Sequence, residues 1–318
     1  MNLQEKKSFV GVDCHKNSIA CYVNGKFKEF KTDFKGYQKA LQWAGNDVHW
    51  CVEGAYSFGL SFSAFLLDSG CQVFEFNPLT TSKLRKVESI AGAKNDYGDA
   101  KVISMFANQL NLQTVSIETV KLKEKLTARK LLVKQRTELT NNIKSTFVKR
   151  GETMAFKCLY TLKAIKWLSN QQDTIVSSFG RIISELTTSI NLIEKELEEL
   201  LPEKAQKLTG ITGISTLTAA VIYTETKGKK MTKSQFASYT GVAPVDCSSG
   251  LTQKHRNNRR GNRQLNCVFY QISLQQCRYD EKGSEYFNKK LAEGKTKRHA
   301  RKCLSRQLVN LVWKVLVA

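Results

Sequence analysis

Residues 8–31 read SFVGVDCHKNSIACYVNGKFKEFK, and this stretch decides how the first third of the chain folds. Phe9 to Asp13 is a short apolar run that ends in an acid, Ile19 to Val23 is a second run, and Phe27 to Lys31 is a third. Asn24-Gly25 separates the last two. That dipeptide tolerates positive φ at both central turn positions, so the three runs read as strands of a hairpin-linked meander. Beyond them the period lengthens. Asp33 is placed to cap a helix carrying Tyr37, Leu41 and Trp43, and His49 to Val52 returns to strand before Glu53-Gly54. Phe58 to Leu67 reads as a second helix, Cys71 to Phe76 as another strand, and Pro78 as the opening of a third helix.

Three strands, helix, strand, helix, strand, helix is the element order of an RNase H-like domain. In such a sheet the first and fourth strands are neighbours and the last helix crosses their ends. Asp13 ends the first strand and Glu53 ends the fourth. Asp96 and Asp99 lie in AKNDYGDAKVISMF, where a spacing of three puts both on one helical face. Four such acids repel one another unless hard cations fill the cluster. The set suits two Mg²⁺ (or Mn²⁺) ions about 3.5–4 Å apart, each polarising an oxygen of the same phosphodiester. Taken singly, the acids have plainer roles, with Asp96 capping a helix and Asp99 favoured in its first turn. Taken together, at element ends that this topology joins, they favour the metal site. His15 and His49 lack ligand spacing and read as structural.

Past Gln109 long helices follow. Leu126, Leu132, Leu139, Ile143 and Phe147 mark one apolar stripe, and Ile175, Ile182, Leu186, Ile190, Ile193, Leu197 and Leu200 mark another, closed by Pro202. The second stripe reads as an antiparallel or intermolecular coiled coil, and pairing with another chain is the simpler way to cover it. A dimer, or a tetramer, is the expected assembly. Leu208 to Ile222, LTGITGISTLTAAVI, reads equally as a helix-hairpin-helix, with Ser215 where a second glycine is usual, or as a plain helical corner. The expected division is 1–110, 111–201 as a helical arm, and 202–318.

Tyr239 to Asn262 reads YTGVAPVDCSSGLTQKHRNNRRGN. Gly241, Pro244 and Gly250 punctuate it, so Asp246 to Gly250 is expected on a loop, with Ser248 and Ser249 within reach of a ligand. Lys254, Arg256, Arg259, Arg260 and Arg263 follow, a density of cations suited to phosphate oxygens. In the tail, Lys297, Arg298 and Arg301 join Lys295, Lys302 and Arg306 on an amphipathic helix whose first half is basic.

The charge is segregated in the same way. Lys and Arg number 13 against 11 acids in residues 1–110, 15 against 10 in 111–200, and 22 against 7 in 201–318. The basic last third reads as a polyanion footprint, most simply nucleic acid. The nine cysteines are odd in number and contain no C-x-x-C pair, which argues against zinc fingers and a disulfide framework and for a reducing, cytoplasmic setting. No signal peptide and no window of about 20 apolar residues is present, so no membrane role is expected. A Walker-type lysine loop is absent, and ATP hydrolysis is not suggested.

Gly11-Val12-Asp13, Val52-Glu53-Gly54, Lys94 to Ala100 (KNDYGDA), Tyr239 to Pro244 (YTGVAP), Ser248-Ser249-Gly250 and Arg260-Gly261-Asn262-Arg263, in that order, resemble the DEDD transposases of the IS one-ten group and their relatives, the Piv-type DNA invertases. The resemblance implies an α/β plus α chain: a RuvC-like (RNase H-like) domain, a long coiled-coil arm, and a mostly helical serine transposase domain. It implies that Asp13, Glu53, Asp96 and Asp99 are the DEDD acids and that Ser249 is a nucleophile forming a phosphoserine link. It also implies donor and target DNA as partners, a structured non-coding bridge RNA as guide, and bacterial, nucleoid-associated action. Leu251 stands where many members have a second glycine, and Gly54-Ala55-Tyr56 departs from the usual Ala-Thr-Gly. The alternatives are an invertase without RNA, a RuvC-like junction nuclease using only the acids, and a non-catalytic nucleic-acid-binding protein.

Overall fold

The structure is a computed structural model that describes residues 8–88, 95–110, 112–249, 252–258 and 260–317, with the backbone alone described at 247–249, 252–255 and 257. Contacts divide the chain into two compact units, one made of Met1–Lys121 with Ile222–Ala318 and the other of Leu122–Val221.

The first unit opens with β1 (Ser8–Cys14), β2 (Ser18–Val23) and β3 (Lys26–Lys31), followed by α1 (Phe34–Ala44), β4 (Val48–Glu53), α2 (Leu60–Asp68), β5 (Val73–Phe76), α3 (Pro78–Glu88), α4 (Asp96–Phe106) and the short β6 (Gln113–Thr114). The sheet order is β3-β2-β1-β4-β5-β6. The meander β1-β2-β3 is antiparallel, β4 and β5 run parallel to β1, and β6 is antiparallel to β5. Asn24 and Gly25 both take positive φ, 49° and 81°, as the tight turn between β2 and β3 requires. Asp33 caps α1 by accepting the Gly36 amide at 2.7 Å.

Alternation along β1 and β4 sorts the two faces. Val10, Val12, Trp50 and Val52 are buried with Phe62 and Leu66 of α2 in one core. Cys51 and Phe76 meet Ile103 of α4 in the other. Each large apolar side chain buried in this way contributes about 1.5–3 kcal/mol. Because strand side chains alternate, Gly11 and Asp13 share the α4 side of β1, and Glu53 shares the α4 side of β4 with Cys51. Gly11 is what lets α4 lie close. A Cβ there would stand 2.1 Å from the Ala100 carbonyl oxygen and 2.4 Å from the Ser104 nitrogen. Ser104 Oγ donates to the Phe9 carbonyl at 2.7 Å and holds the crossing.

The remainder of this unit is the C-terminal half of α9 (Thr216–Thr226), then α10 (Lys233–Tyr239), β7 (Pro244–Ser249), β8 (Thr252–Asn257), α11 (Arg263–Tyr279), α12 (Glu281–Ala292) and α13 (Lys297–Val317). Phe236, Leu265, Phe269, Ile272, Leu304, Leu308 and Val309 are buried. Residues 246–249, expected on a loop, instead belong to an antiparallel β7–β8 hairpin, with Asp246 opposite His255 and Ser249 opposite Thr252, while Gly250 lies outside the described residues. Its base is fixed by a backbone crossing. Gly241 has φ +72°, and a Cβ on Gly261 would stand 2.4 Å from the Gly241 Cα. Asn262 then caps α11 through the Gln264 and Leu265 amides, both at 3.0 Å.

The second unit contains most of α5 (Ile117–Lys149), α6 (Leu162–Ser169), α7 (Thr174–Leu200) and α8 (Glu203–Gln206). A 3₁₀ turn at Lys207–Gly210 precedes α9, so the segment read as helix-hairpin-helix has a single 3₁₀ turn where its first helix was expected. On α7, Val176, Ile183, Ile190 and Leu197 recur every seven residues and are buried. Their cover comes from the same chain. Val176 and Ile183 share a core with Ile143 and Phe147 of α5. Arg150 meets Asp173 at 2.7 Å, Arg136 donates to Thr187 at 3.3 Å, and Arg129 bonds Glu194 at 2.6 Å. Lys125 bonds Glu196. The rungs climb one helix as they descend the other. The arm thus folds back on itself over these positions, whereas Ile175 and Ile182 of the expected stripe stay exposed.

Candidate active site

Parallel pairing of β1 with β4 runs in register to Val12 opposite Val52, so Asp13 and Glu53 are the next residues on adjacent strands. Across their ends comes α4. Its N-cap is Asn95, whose Oδ1 accepts the Gly98 amide at 2.6 Å, and this leaves Asp96 and Asp99 in the first turn. Carboxylates there are favoured by the helix dipole. Asp96 is therefore not the cap that the plainer sequence reading made it.

Each acid has a partner, and Asp13 and Asp96 share theirs. His15 Nε2 lies 3.2 Å from Asp13 and 3.0 Å from Asp96. Arg85 Nε lies 2.7 Å from Asp99 Oδ1, with Asp99 only 3% exposed. Thr81 Oγ1 donates to Glu53 Oε2 at 2.8 Å. The His15 and Arg85 contacts are close in distance, yet His15 Nε2, Arg85 Nε and Asp99 Oδ1 are buried without an aligned hydrogen bond. Charge, rather than directed bonding, holds Arg85 to Asp99. Burial raises the Glu53 pKa above the usual carboxylate value, Asp13 and Asp99 raise it further, and the Thr81 bond and Arg85 oppose the rise. The same burial and the same acids, Asp13 and Glu53, push the Cys14 thiol far up. Asp13, Glu53 and Asp99 thus act on one another electrostatically, and His15 ties Asp13 to Asp96.

One ligand atom each from Asp13, His15 and Asp96 fall within 4.8 Å of one another, a spacing able to hold a metal ion. Asp99 Oδ1, buried and lacking a directed donor, is a further oxygen with lone pairs to give. Carboxylate oxygens suit hard divalent cations, and an imidazole extends the set toward Mn²⁺. The donor set fits such an ion. His15, read as structural from sequence, belongs to this cluster, and Thr81 and Arg85 were not singled out at all. For His15 the signal is its position two residues beyond Asp13. For the α3 pair there is none, since their partners are distant in sequence.

Ser249 is the last residue of β7, at the hairpin tip, and its side chain lies outside the described residues. The same holds for the side chain of Lys254 on β8, while Arg259 lies wholly outside them. Arg256 and Arg260 are exposed, Arg263 is exposed at the start of α11, Lys297 and Arg298 are exposed in the first turn of α13, and Arg301 is half-buried on it. Among the described residues no helix is long and apolar enough to cross a membrane.

Residues 10–149 match the family model of IS110-type DEDD transposases, described as a transposase. Residues 205–288 match the model described as the transposase IS116/IS110/IS902 family. A curated relative, the insertion element IS110 uncharacterized 43.6 kDa protein of Streptomyces coelicolor, is 29% identical over 150 residues, which are 45% of this chain and 37% of that protein.

Proposed function

Because the chain belongs to the IS110 family of transposases, we propose that it cuts and rejoins DNA, with Asp13, Glu53, Asp96 and Asp99 as the acids of one divalent-metal site and Ser249 as the nucleophile. The division at 1–110, 111–201 and 202–318 is part of this reading. The observation that carries it is the meeting of four acids at one end of the sheet, reached from two adjacent strands and one crossing helix. A bound Mg²⁺ or Mn²⁺ would supply Lewis-acid polarisation of phosphate oxygens.

The chain's own groups do the rest. The acids present oxygens toward the scissile phosphate region, while Arg85 balances the charge of Asp99 and His15 bridges Asp13 and Asp96. The Ser249 hydroxyl attacks phosphorus, a serine O–P bond forms as the sugar O–P bond breaks, and the sugar oxygen leaves with a proton. A hydroxyl end of the partner strand then attacks the phosphoserine and releases the serine. Each step exchanges one phosphate ester for another, so no ATP is consumed. Positive donors from the C-terminal region offset charge developing on the phosphate.

Strand cleavage measured on donor DNA tests this directly. Asp99→Asn and Ser249→Ala should each abolish cleavage in Mg²⁺ while DNA binding persists. Cleavage retained in Ser249→Ala but lost in Asp99→Asn would instead identify a water-using nuclease, and cleavage retained in both would overturn the site. Guidance by a structured RNA, and assembly as a dimer or tetramer, complete the proposal. Sequencing of co-purifying RNA should return one discrete structured species, and its absence would favour an unguided invertase.

A further inference from the structure

The basic face of α13 is concave. Two cavities, of about 540 and 980 Å³, share Arg298 and Lys302 as a common wall. Into the first also turn Arg256, Tyr286, His299 and Arg306; the second adds Arg263, Tyr270 and Arg301. No carboxylate lines either cavity among the described residues. Arg301 Nε and Arg306 Nη1 are buried without a hydrogen-bond partner, a costly state for a cationic donor unless an acceptor arrives. Burial, then the neighbouring Arg298, lowers the Lys302 pKa, so two cations crowd one wall.

The rings narrow the choice of anion. Tyr270 is 46% exposed beside the arginines, and Tyr286 lines the first cavity. A cationic groove with aromatic faces is how single strands are held, phosphates on the cations and bases on the rings. We infer that the paired cavity takes a single nucleic-acid strand, its phosphates on Arg298, Lys302 and Arg306 and its bases against Tyr286 and Tyr270. The wall of the first cavity also includes Val242, Ala243 and Pro244, and Pro244 begins β7. Five residues of strand, about 17 Å at ~3.4 Å each, separate it from Ser249. That span equals about five stacked nucleotides. The inference rests on the strand-exchange reading for this direction alone.

The test uses the full chain and labelled single-stranded oligonucleotides in deoxyribo and ribo form, with a duplex for comparison, titrated by fluorescence anisotropy at several salt concentrations. Combining Arg298→Gln, Lys302→Gln and Arg306→Gln should reduce the single-strand salt slope by about 2, at ~0.7 per phosphate contact. Tyr286→Ala should weaken binding roughly tenfold without changing the slope. Arg298→Lys with Arg306→Lys should keep it. A larger loss on one sugar type identifies the strand as DNA or RNA. An unchanged slope in the combined variant overturns the inference, as does an equal loss on duplex. Should the combined variant melt early, the exposed Arg298→Gln alone must still lower the slope, and failure there overturns the inference too. Cleavage by Asp99→Asn and Ser249→Ala, assayed separately, tests strand exchange without touching the cavity.

Discussion

The acid end of the sheet and the basic face of α13 both concentrate one sign of charge, but they treat it in opposite ways. At the sheet, every carboxylate has a partner supplied by the fold: His15 for Asp13 and Asp96, Arg85 for Asp99, Thr81 for Glu53. On α13 the cavities hold cations with no carboxylate among the described lining residues. The first cluster is therefore held in shape before any ion binds, whereas the second keeps Arg301 Nε and Arg306 Nη1 without a hydrogen-bond partner. Removing a countercharge such as Arg85 should accordingly damage the first region, and removing a cation should spare the second.

The largest effect belongs to Arg85→Ala. It strands the buried Asp99 carboxylate, and breaking a buried pair by removing one partner costs about 3–5 kcal/mol. Thermal or denaturant unfolding should show that loss, and Mg²⁺ should restore part of it by taking over the charge. A change below about 0.5 kcal/mol would mean that Asp99 does not depend on its partner, and the contrast with α13 would fail.

Glu53→Gln should show a smaller effect with a definite sign. The folded-state pKa of Glu53 is raised, first by burial. Its contribution to stability is thus fully present below the ordinary carboxylate value and is lost as pH rises through the raised one. In EDTA at pH 7 the variant, which keeps an acceptor for Thr81, should melt higher than the parent, and the gain should vanish as pH falls below about 4.5. A gain independent of pH would remove charge as its cause.

The smallest effect is expected for Arg298→Ala. The side chain is exposed, and its charge opposes that of Lys302. Stability should stay within about 0.5 kcal/mol, with any change in the stabilising direction. A destabilisation approaching that of Arg85→Ala would show that α13 relies on its cations as the sheet relies on its acids, and the two regions would no longer differ in kind.

What could be read from the sequence follows the same physics. Strands β1 to β5 were legible because alternation, the Asn24-Gly25 turn and the Asp33 cap are local signals. The sheet order then followed from the element order, and the ends carrying Asp13 and Glu53 followed from the sheet. β6 was not legible, since two residues carry no period. The β7–β8 hairpin was read as a loop because Asp246, Ser248, Gln253 and His255 present no apolar alternation that would reveal a pleat. Pairing of backbone makes it a strand. Arg85 and Thr81 act on acids from another element, and no spacing within α3 announces that. The arm's helices were plain from their stripes, yet a stripe says only that something covers it. The identity of the cover was decided by the Arg150–Asp173 and Arg129–Glu194 rungs, which no single helix displays.

Those rungs carry a rule about length. Because α5 and α7 run antiparallel with their inward positions repeating every seven residues, the arm is divisible into matched segments of about 10.5 Å. Deleting seven residues from α5 alone would slide every rung beyond the cut against the wrong partner. Deleting seven from each helix at facing positions would remove one segment and leave all other pairings intact. The arm is accordingly a telescoping part, adjustable in paired steps, whose reach can be reset by evolution or by design while its cross-section stays the same.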